Sequence, residues 1–399
     1  MIRRGAVCLN WARTVLRRGA PSDGRYLLQK IRFKKIKIET LKRKIEQKVR
    51  DPRRQYGNIL HKLWEMLVIA ICSVICLGED YDDMEEFGKE REKWLKEELG
   101  LELLNGIPSG DTFRRLFEKL KPKEFRSCLE ESIGYTRSPR EVVNVDGKAK
   151  KSGGIHVISA FVGESQITLG EIKSENKRTE IKEIPKLLDI IDVKGHIVTI
   201  DSIGCQHDIV EKLCSKSVGA DYCIGLKGNQ KNLHKAVEEH FMYNPLSDRS
   251  AKKNVYEAGH GRVEQREYWL ETELNWLTQR DEWAGLRSVG MVKSIVTRGL
   301  KTSFDVRYFI SSLTDVGEFA HSVREHWAIE NKLHWSLDVV FREDSDLVKK
   351  DNAPLNLNIL DKFALYLVTQ VDLGKISRKR KRYRAALNPD VLLSMILCR

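Results

Sequence analysis

Eight cysteines are scattered through 399 residues without a CxxC pair or an even framework. Neither a zinc finger nor a disulfide scaffold fits that usage, which points to reduced thiols in a cytosolic protein. Cys72 and Cys76 stand one helical turn apart in an apolar stretch, where small buried hydrophobes are the expected role. Long hydrophobic runs are also missing. The longest uncharged apolar run, Met66 to Leu77, falls short of the roughly 20 residues a bilayer requires, so no membrane span is expected. Acid is scarce at the start: the first 22 residues hold five Arg and nothing acidic precedes Asp23. That segment reads equally as a basic DNA-binding arm, an organelle-type transit segment or an over-extended start. No internal repeat is present.

What the chain does have is positive charge, +13 overall with a pI of about 9.2. Residues 1–56 carry 18 Lys or Arg against 4 Asp or Glu, a local +14, which leaves the remaining residues near −1. A second run, Lys375 to Arg384, has seven bases and no acid. Such tracts favour an anionic partner, nucleic acid ahead of a membrane surface, bound in a strongly salt-dependent way. An isolated run reads equally as a solvated charge tract. With 41% hydrophobic content the chain can bury at least one large core and has room for two or three domains.

Apolar residues recur at helical spacing from Asn58 to Cys76 and stop at Gly78; further helical patterns run over Asp83 to Glu98 and Asp111 to Leu120. After Ser138-Pro139-Arg140 the texture becomes short and β-branched, predicting strands over Glu141 to Val145, Ile155 to Val162, Gln166 to Glu171 and His196 to Ile200. A helix over Glu180 to Ile191 lets the fourth strand return parallel, and a helix over Cys205 to Lys216 leads to a fifth strand at Asp221 to Leu226. Three strands, helix, strand, helix, strand is the order of a ribonuclease-H-like α/β fold. The segment 231–312 interrupts it with a helix (Asn232 to Phe241) and strand-like stretches at Glu264 to Leu270, Gly290 to Thr297 and Val306 to Ser311. Helices are then expected over Val323 to Val340 and Ile359 to Val371. The resulting division is a basic arm, 1–50; a helical DNA-binding domain, 51–138; an α/β core, 139–374, holding a mainly β insertion at 231–312; and a basic tail, 375–399.

Asp146 ends the run Val142-Val143-Asn144-Val145, and Asp201 ends Ile197-Val198-Thr199-Ile200 in the same way. On neighbouring strands these carboxylates would crowd, which is costly unless cations lie between them. Hard oxygen ligands suit Mg²⁺ or Mn²⁺. Singly, each Asp reads equally as a cap on the following turn. A third ligand is expected from the helix over Val323 to Val340, where His326, Glu330, His334 and Asp338 follow one another at i+4. Trp327, Ile329, Leu333, Trp335, Leu337 and Val339 leave little of that helix for solvent. His326 and His334 stand roughly 12 Å apart along the axis, which disfavours a zinc site made by the helix alone. Glu330 is the chosen third ligand, ahead of Asp338, Glu343 and Asp344. Lys227, His260 and Arg262 lie in polar, glycine-bearing segments suited to phosphate approach, although glycines there also serve turns. Lys148, Arg324, Lys379 and Arg380 complete the expected DNA contacts.

Five motifs in order carry a resemblance: Asp146-Gly147-Lys148; Thr199-Ile200-Asp201-Ser202-Ile203-Gly204-Cys205-Gln206; Ala220-Asp221-Tyr222 leading to Lys227-Gly228-Asn229-Gln230; Gly259-His260-Gly261-Arg262-Val263-Glu264; and His326-Trp327-Ala328-Ile329-Glu330-Asn331 with Leu333-His334-Trp335. From about Asp51 to the carboxyl end the chain resembles bacterial insertion-sequence DDE transposases of the H-repeat-associated group. The resemblance implies a ribonuclease-H-like core with a β insertion ahead of the catalytic Glu, and a metal-binding catalytic triad of Asp146, Asp201 and Glu330. It implies Mg²⁺ or Mn²⁺ as cofactor, double-stranded DNA as partner (transposon ends and target), a homodimer on DNA, and a cytoplasmic, nucleoid-associated location in a bacterium. Ser202 stands where the family has Ala, and Leu347, Lys349 and Lys350 where it favours arginines. A broader transposase signature has Tyr and Arg at the positions of Val323 and His326. A metal-dependent nuclease without strand transfer, or a catalytically silent DNA-binding derivative, would share these features.

Overall fold

The computed structural model describes residues 38–53, 59–135, 138–149, 155–244, 251–259, 262–345 and 347–397. The chain opens with helices: α1 (38–48), α2 (Leu63–Ile75), α3 (Tyr81–Glu90), α4 (Glu92–Leu99), α5 (Gly110–Lys119) and α6 (Pro122–Ile133). Side chains start two of them, Asp80 accepting from the Asp83 amide and Ser109 from the Thr112 amide, so that otherwise orphaned N–H groups are satisfied. The single helical pattern read over Asp83 to Glu98 is two helices that meet at Arg91. The arm expected over 1–50 is described only from residue 38. There it is a docked helix: Ile38 and Ile45 are buried, and Lys44 and Lys48 pair with Glu131 at 2.6 and 2.9 Å.

A mixed α/β unit follows, in the element order the sequence predicts. β1 (Val142–Ala149), β2 (His156–Val162) and β3 (Ile167–Ser174) form an antiparallel meander; α7 (Glu180–Ile190) crosses to β4 (Ile197–Ile200), and α8 (His207–Cys214) to β5 (Asp221–Leu226). β4 pairs parallel with β1 on one side and with β5 on the other, as crossover helices allow. Val143, Val145, Val198, Ile200, Tyr222 and Ile224 fill the core between this sheet and α7 and α8. After α9 (Lys231–Tyr243) come β6 (Ala251–Gly259), β7 (Arg262–Glu271), β8 (Ser288–Arg298) and β9 (Lys301–Ser311).

The expected insertion over 231–312 does not leave the sheet. β9 pairs antiparallel with β5, Cys223 opposite Ser311, so all nine strands form one sheet in the order β3-β2-β1-β4-β5-β9-β8-β7-β6. The free edge of β5 provides the template for this extension. Next comes α10 (Val316–Ala328), continued by a π-helical segment, Ile329–His334, and by α11 (Trp335–Val339). The helix read over Val323 to Val340 therefore starts earlier and changes its turn in the middle. α10 lies against the sheet so closely that a side chain at Gly290 would run into the Phe319 ring.

α12 (Ala353–Gln370), α13 (Arg378–Leu387) and α14 (Pro389–Ile396) close the chain. Their apolar residues share one core with the first helices: Leu360, Ala364, Val368, Leu392 and Met395 pack in the same cluster as Ile45, Met66, Ile69, Leu95 and Phe117. Asn356 pins this union by donating to the carbonyls of Phe117 and Leu120. The helical layer is thus built from both ends of the sequence. Among the described residues no helix is long and apolar enough to cross a membrane.

Candidate active site

Parallel registration decides the central relationship. Val142 pairs with Ile197, and each step along the strands is matched up to Val145 with Ile200; Asp146 and Asp201 are the next residues on the two strands. Asp201 leaves the sheet there, its Oδ1 accepting from the Ile203 amide at 3.1 Å. Asp146 does not end its strand as expected. β1 runs on to Ala149, paired with β2, and Asp146 faces Ser159 in that ladder while its Oδ1 accepts from the Gly147 amide at 2.8 Å. Each carboxylate thus keeps its second oxygen clear of its own turn. Gly147 is required by space: a Cβ there would overlap the Glu180 carboxylate and come within 2.6 Å of His156 Nε2. Glu180 and His156 form a buried contact behind the strand.

Burial, reinforced by the charge of Asp201 and also by those of Glu330 and Glu180, pushes the Asp146 carboxyl up from 3.8 to about 7 against the opposing pull of the Gly147 amide. Two imidazoles face the same strands. His326 Nδ1 lies 2.9 Å from Thr199 Oγ1, whose hydroxyl donates to Asn144 Oδ1 at 2.7 Å; His334 Nδ1 lies 3.6 Å from Asp146 Oδ2. Burial lowers His326 to about 4 and His334 to about 3, so both are neutral at pH 7. The chemical content of the site is therefore crowded oxygen anions with uncharged nitrogen nearby, a donor set that suits a hard divalent cation.

The helical stripe is only partly as the spacing predicts. His326 and His334 turn toward the strands, and Asp338 meets Lys148 at 2.5 Å. Glu330 sits in the π segment with its side chain exposed. A wider turn changes which way successive residues point, and π segments recur at functional sites. Asp146 still feels the Glu330 charge. Among the described residues no three His, Cys, Asp or Glu side chains converge as a ready ion cage.

Of the expected DNA contacts, Lys148 is mostly buried and held by two carboxylates, Asp338 and Glu343, each at 2.5 Å, so it braces β1 against α11. Lys227 is exposed beside the Gly228–Gln230 turn, which is tied to the Asp201 loop by Asn229 donating to the Ser202 carbonyl and Gln230 to the Cys205 carbonyl. Arg324 is exposed and pairs with Glu257 at 2.7 Å. His260 lies outside the described residues, and Arg262 opens β7. Lys379 and Arg380 are exposed on α13.

Three other bases of α13 do something the charge count does not reveal. Lys381 donates to the Thr369 and Val371 carbonyls, and Arg382, 2% exposed, to those of Val340 and Val74. These carbonyls end α12, α11 and α2, where helices leave acceptors unpaired and favour cations. Arg382 also stacks 4.0 Å from the Phe341 ring centroid. Arg378 reaches the π segment itself, donating to the Lys332 carbonyl and to Ser336 Oγ. A second unforeseen group is Trp327, whose ring has the guanidinium groups of buried Arg266 and of Arg307 at 4.8 and 5.1 Å, joining the Glu330 helix to β7 and β9.

Residues 135–367 match the family described as "Transposase DDE domain", and residues 46–132 match a domain associated with it. YncI of Escherichia coli O157:H7, named as a transposase, is 36% identical over 357 residues, covering 84% of this chain and 89% of that protein. YhhI of Escherichia coli K12, named as an H repeat-associated transposase, is 35% identical over 363 residues, 86% of this chain and 94% of its own. Among solved structures, a piggyBac transposase synaptic complex with hairpin DNA overlaps 93% of this chain and 80% of its own, at 12% identity and a TM-score of 0.40.

Proposed function

The chain belongs to the DDE transposase family of bacterial insertion sequences, and from that premise we propose that it cuts DNA at transposon ends and joins the freed strand to target DNA. The observation that carries the reading is the registered pairing of β1 and β4, which makes Asp146 and Asp201 neighbours. Asp146, Asp201 and Glu330 would hold Mg²⁺ or Mn²⁺. A bound pair of such ions supplies Lewis acidity, lowering the pKa of water and stabilising the leaving oxygen.

The chain's own groups account for the rest. Gly147 and Ile203 amides fix one oxygen of each Asp, so the free oxygens are presented in a set direction. Neutral His326 and His334 add no positive charge that would compete with a cation. Glu330, exposed in the π segment, has to turn inward to complete the set. Because no protein nucleophile is needed, the same site can use water first and the freed 3′-hydroxyl second. The core is read as ribonuclease-H-like, 51–138 as the reader of terminal repeats, and Lys227, His260, Arg262, Arg324, Lys379 and Arg380 as DNA contacts. Lys148 takes the bracing role described above. Assembly as a homodimer on two ends follows from the same reading.

The test uses the full chain, Mn²⁺ or Mg²⁺, and oligonucleotides copied from the DNA flanking its gene. Strand-transfer products that vanish in Asp146→Asn, Asp201→Asn and Glu330→Gln are expected. Cleavage without joining would make it a nuclease, and binding without metal-dependent cleavage a silent DNA-binding protein.

A further inference from the structure

We propose that Arg378, on the carboxyl-terminal helix α13, is a positioning residue for Glu330. The proposal rests on the metal-site reading above. A π turn does not hold itself: its wider ring leaves carbonyls poorly matched to the amides of the next turn. Here the Lys332 carbonyl, two residues after Glu330, receives Arg378 Nη1 at 3.3 Å and the Ser336 hydroxyl at 2.8 Å. The same Nη1 donates to Ser336 Oγ at 2.5 Å, and Nη2 donates to Gln166 Oε1 in the β2–β3 turn. Lys332 holds that turn from the other side, its ammonium donating to the Gly163 carbonyl at 2.9 Å.

One planar guanidinium thus spans the π segment and the sheet. Its several fixed donors suit a two-sided bridge that a single ammonium cannot reproduce. Arg378 is half-buried, and burial lowers its pKa; among the described residues it is held by these neutral acceptors and by no ion pair. The neighbouring Lys379 and Arg380 point to solvent from the same helix, so α13 presents exposed bases outward while its inner face grips the turn that carries the third carboxylate.

Outer partners of metal ligands are typically worth about 10- to 100-fold in metal affinity. The experiment titrates Mn²⁺ alone into the full chain and follows free ion by electron paramagnetic resonance, with thermal unfolding in EDTA run on every variant. Arg378→Ala is expected to weaken Mn²⁺ binding about as much as Glu330→Gln, and the double variant no further. Ser336→Ala, which removes the hydroxyl that accepts from Arg378 and donates to the Lys332 carbonyl, should weaken it in the same direction, Arg378→Lys should recover only part, and Arg384→Ala, an exposed position of the same helix, should leave it unchanged. If Glu330→Gln weakens Mn²⁺ binding while folded Arg378→Ala and Ser336→Ala do not, the positioning role is overturned and the metal site stands. Further weakening of Glu330→Gln by Arg378→Ala would overturn it too, since Arg378 would then act by another route. No effect of Glu330→Gln would remove the triad itself, and the positioning role with it.

Discussion

Lys362 and Glu171 form a buried ion pair that ties α12 to β3, with Ser159 Oγ accepting from the same ammonium at 2.9 Å. It is a charged joint between the helical layer and the sheet. Removing one partner leaves the other charge buried and uncompensated, so Lys362→Met should cost about 3–5 kcal/mol of stability. Lys362→Met with Glu171→Leu should recover most of that loss. Urea unfolding of the two variants checks this; equal losses would mean the pair contributes packing alone.

Asp146→Asn should stabilise the metal-free protein while it abolishes metal-dependent cleavage. The folded state disfavours the Asp146 anion, raising its carboxyl from 3.8 to about 7, and Asn avoids that penalty. The sign follows: wild type is penalised fully above about pH 7, progressively less as pH falls toward 3.8, and not at all below it. Thermal unfolding in EDTA should favour the Asn variant by at least about 1 kcal/mol at pH 8, with the gap closing near pH 4. A gap that widens in acid would contradict the assignment.

Thiol chemistry should be slow except at one described position. Burial raises Cys76, Cys128 and Cys205 to about 12 and pushes Cys72 and Cys223 upward as well. Cys214 is exposed, its thiol donating to the Ala284 carbonyl at 3.4 Å. In a Cys8→Ser, Cys398→Ser background, maleimide labelling followed by peptide mapping should find Cys214 modified first, and the five others only on unfolding.

The two faces of α13 should separate experimentally. Lys379→Ala and Arg380→Ala should each lower DNA affinity and reduce the slope of log affinity against log salt by about 0.9 for each phosphate no longer neutralised, with unchanged melting. Arg382→Ala should instead destabilise the fold by about 3 kcal/mol, because the Val340 and Val74 carbonyls lose their donor and the Phe341 ring its cation. Salt-dependent filter binding and calorimetry on the same preparations check both halves.

The core strands are legible because short β-branched runs ending in acid leave few other structures open. The sequence pattern misplaces Asp146 at a tip because Gly147-Lys148-Ala149 lacks β-branched residues, yet β2 still supplies ladder partners for them. β6 escapes notice for a related reason: Lys252, Lys253 and Asn254 are poor strand formers, and the pairing with β7 overrides that preference. Apolar periodicity cannot find α13, whose inner face is largely guanidinium and ammonium seated on helix ends. The π turn is out of reach too, since i+4 counting presupposes a regular helix. What sequence offers at Glu330 is identity; the contacts that Lys332, Arg378 and Ser336 make around its π turn join residues far apart in the chain.

The mixing of both chain ends in one helical core has a consequence during synthesis. As the first helices leave the ribosome, Met66, Ile69, Leu95 and Phe117 have no lid, because Leu360, Val368, Leu392 and Met395 are translated long after them. Nascent domains ordinarily fold as they emerge, but this one must wait for α12 and α14, which complete its core. A product cut short by a frameshift or premature stop therefore keeps an uncovered apolar face and is marked for chaperones and proteases. Translation through α14 becomes a condition for folding, and a chain that stops before it is left without a closed core even with Asp146, Asp201 and Glu330 all present.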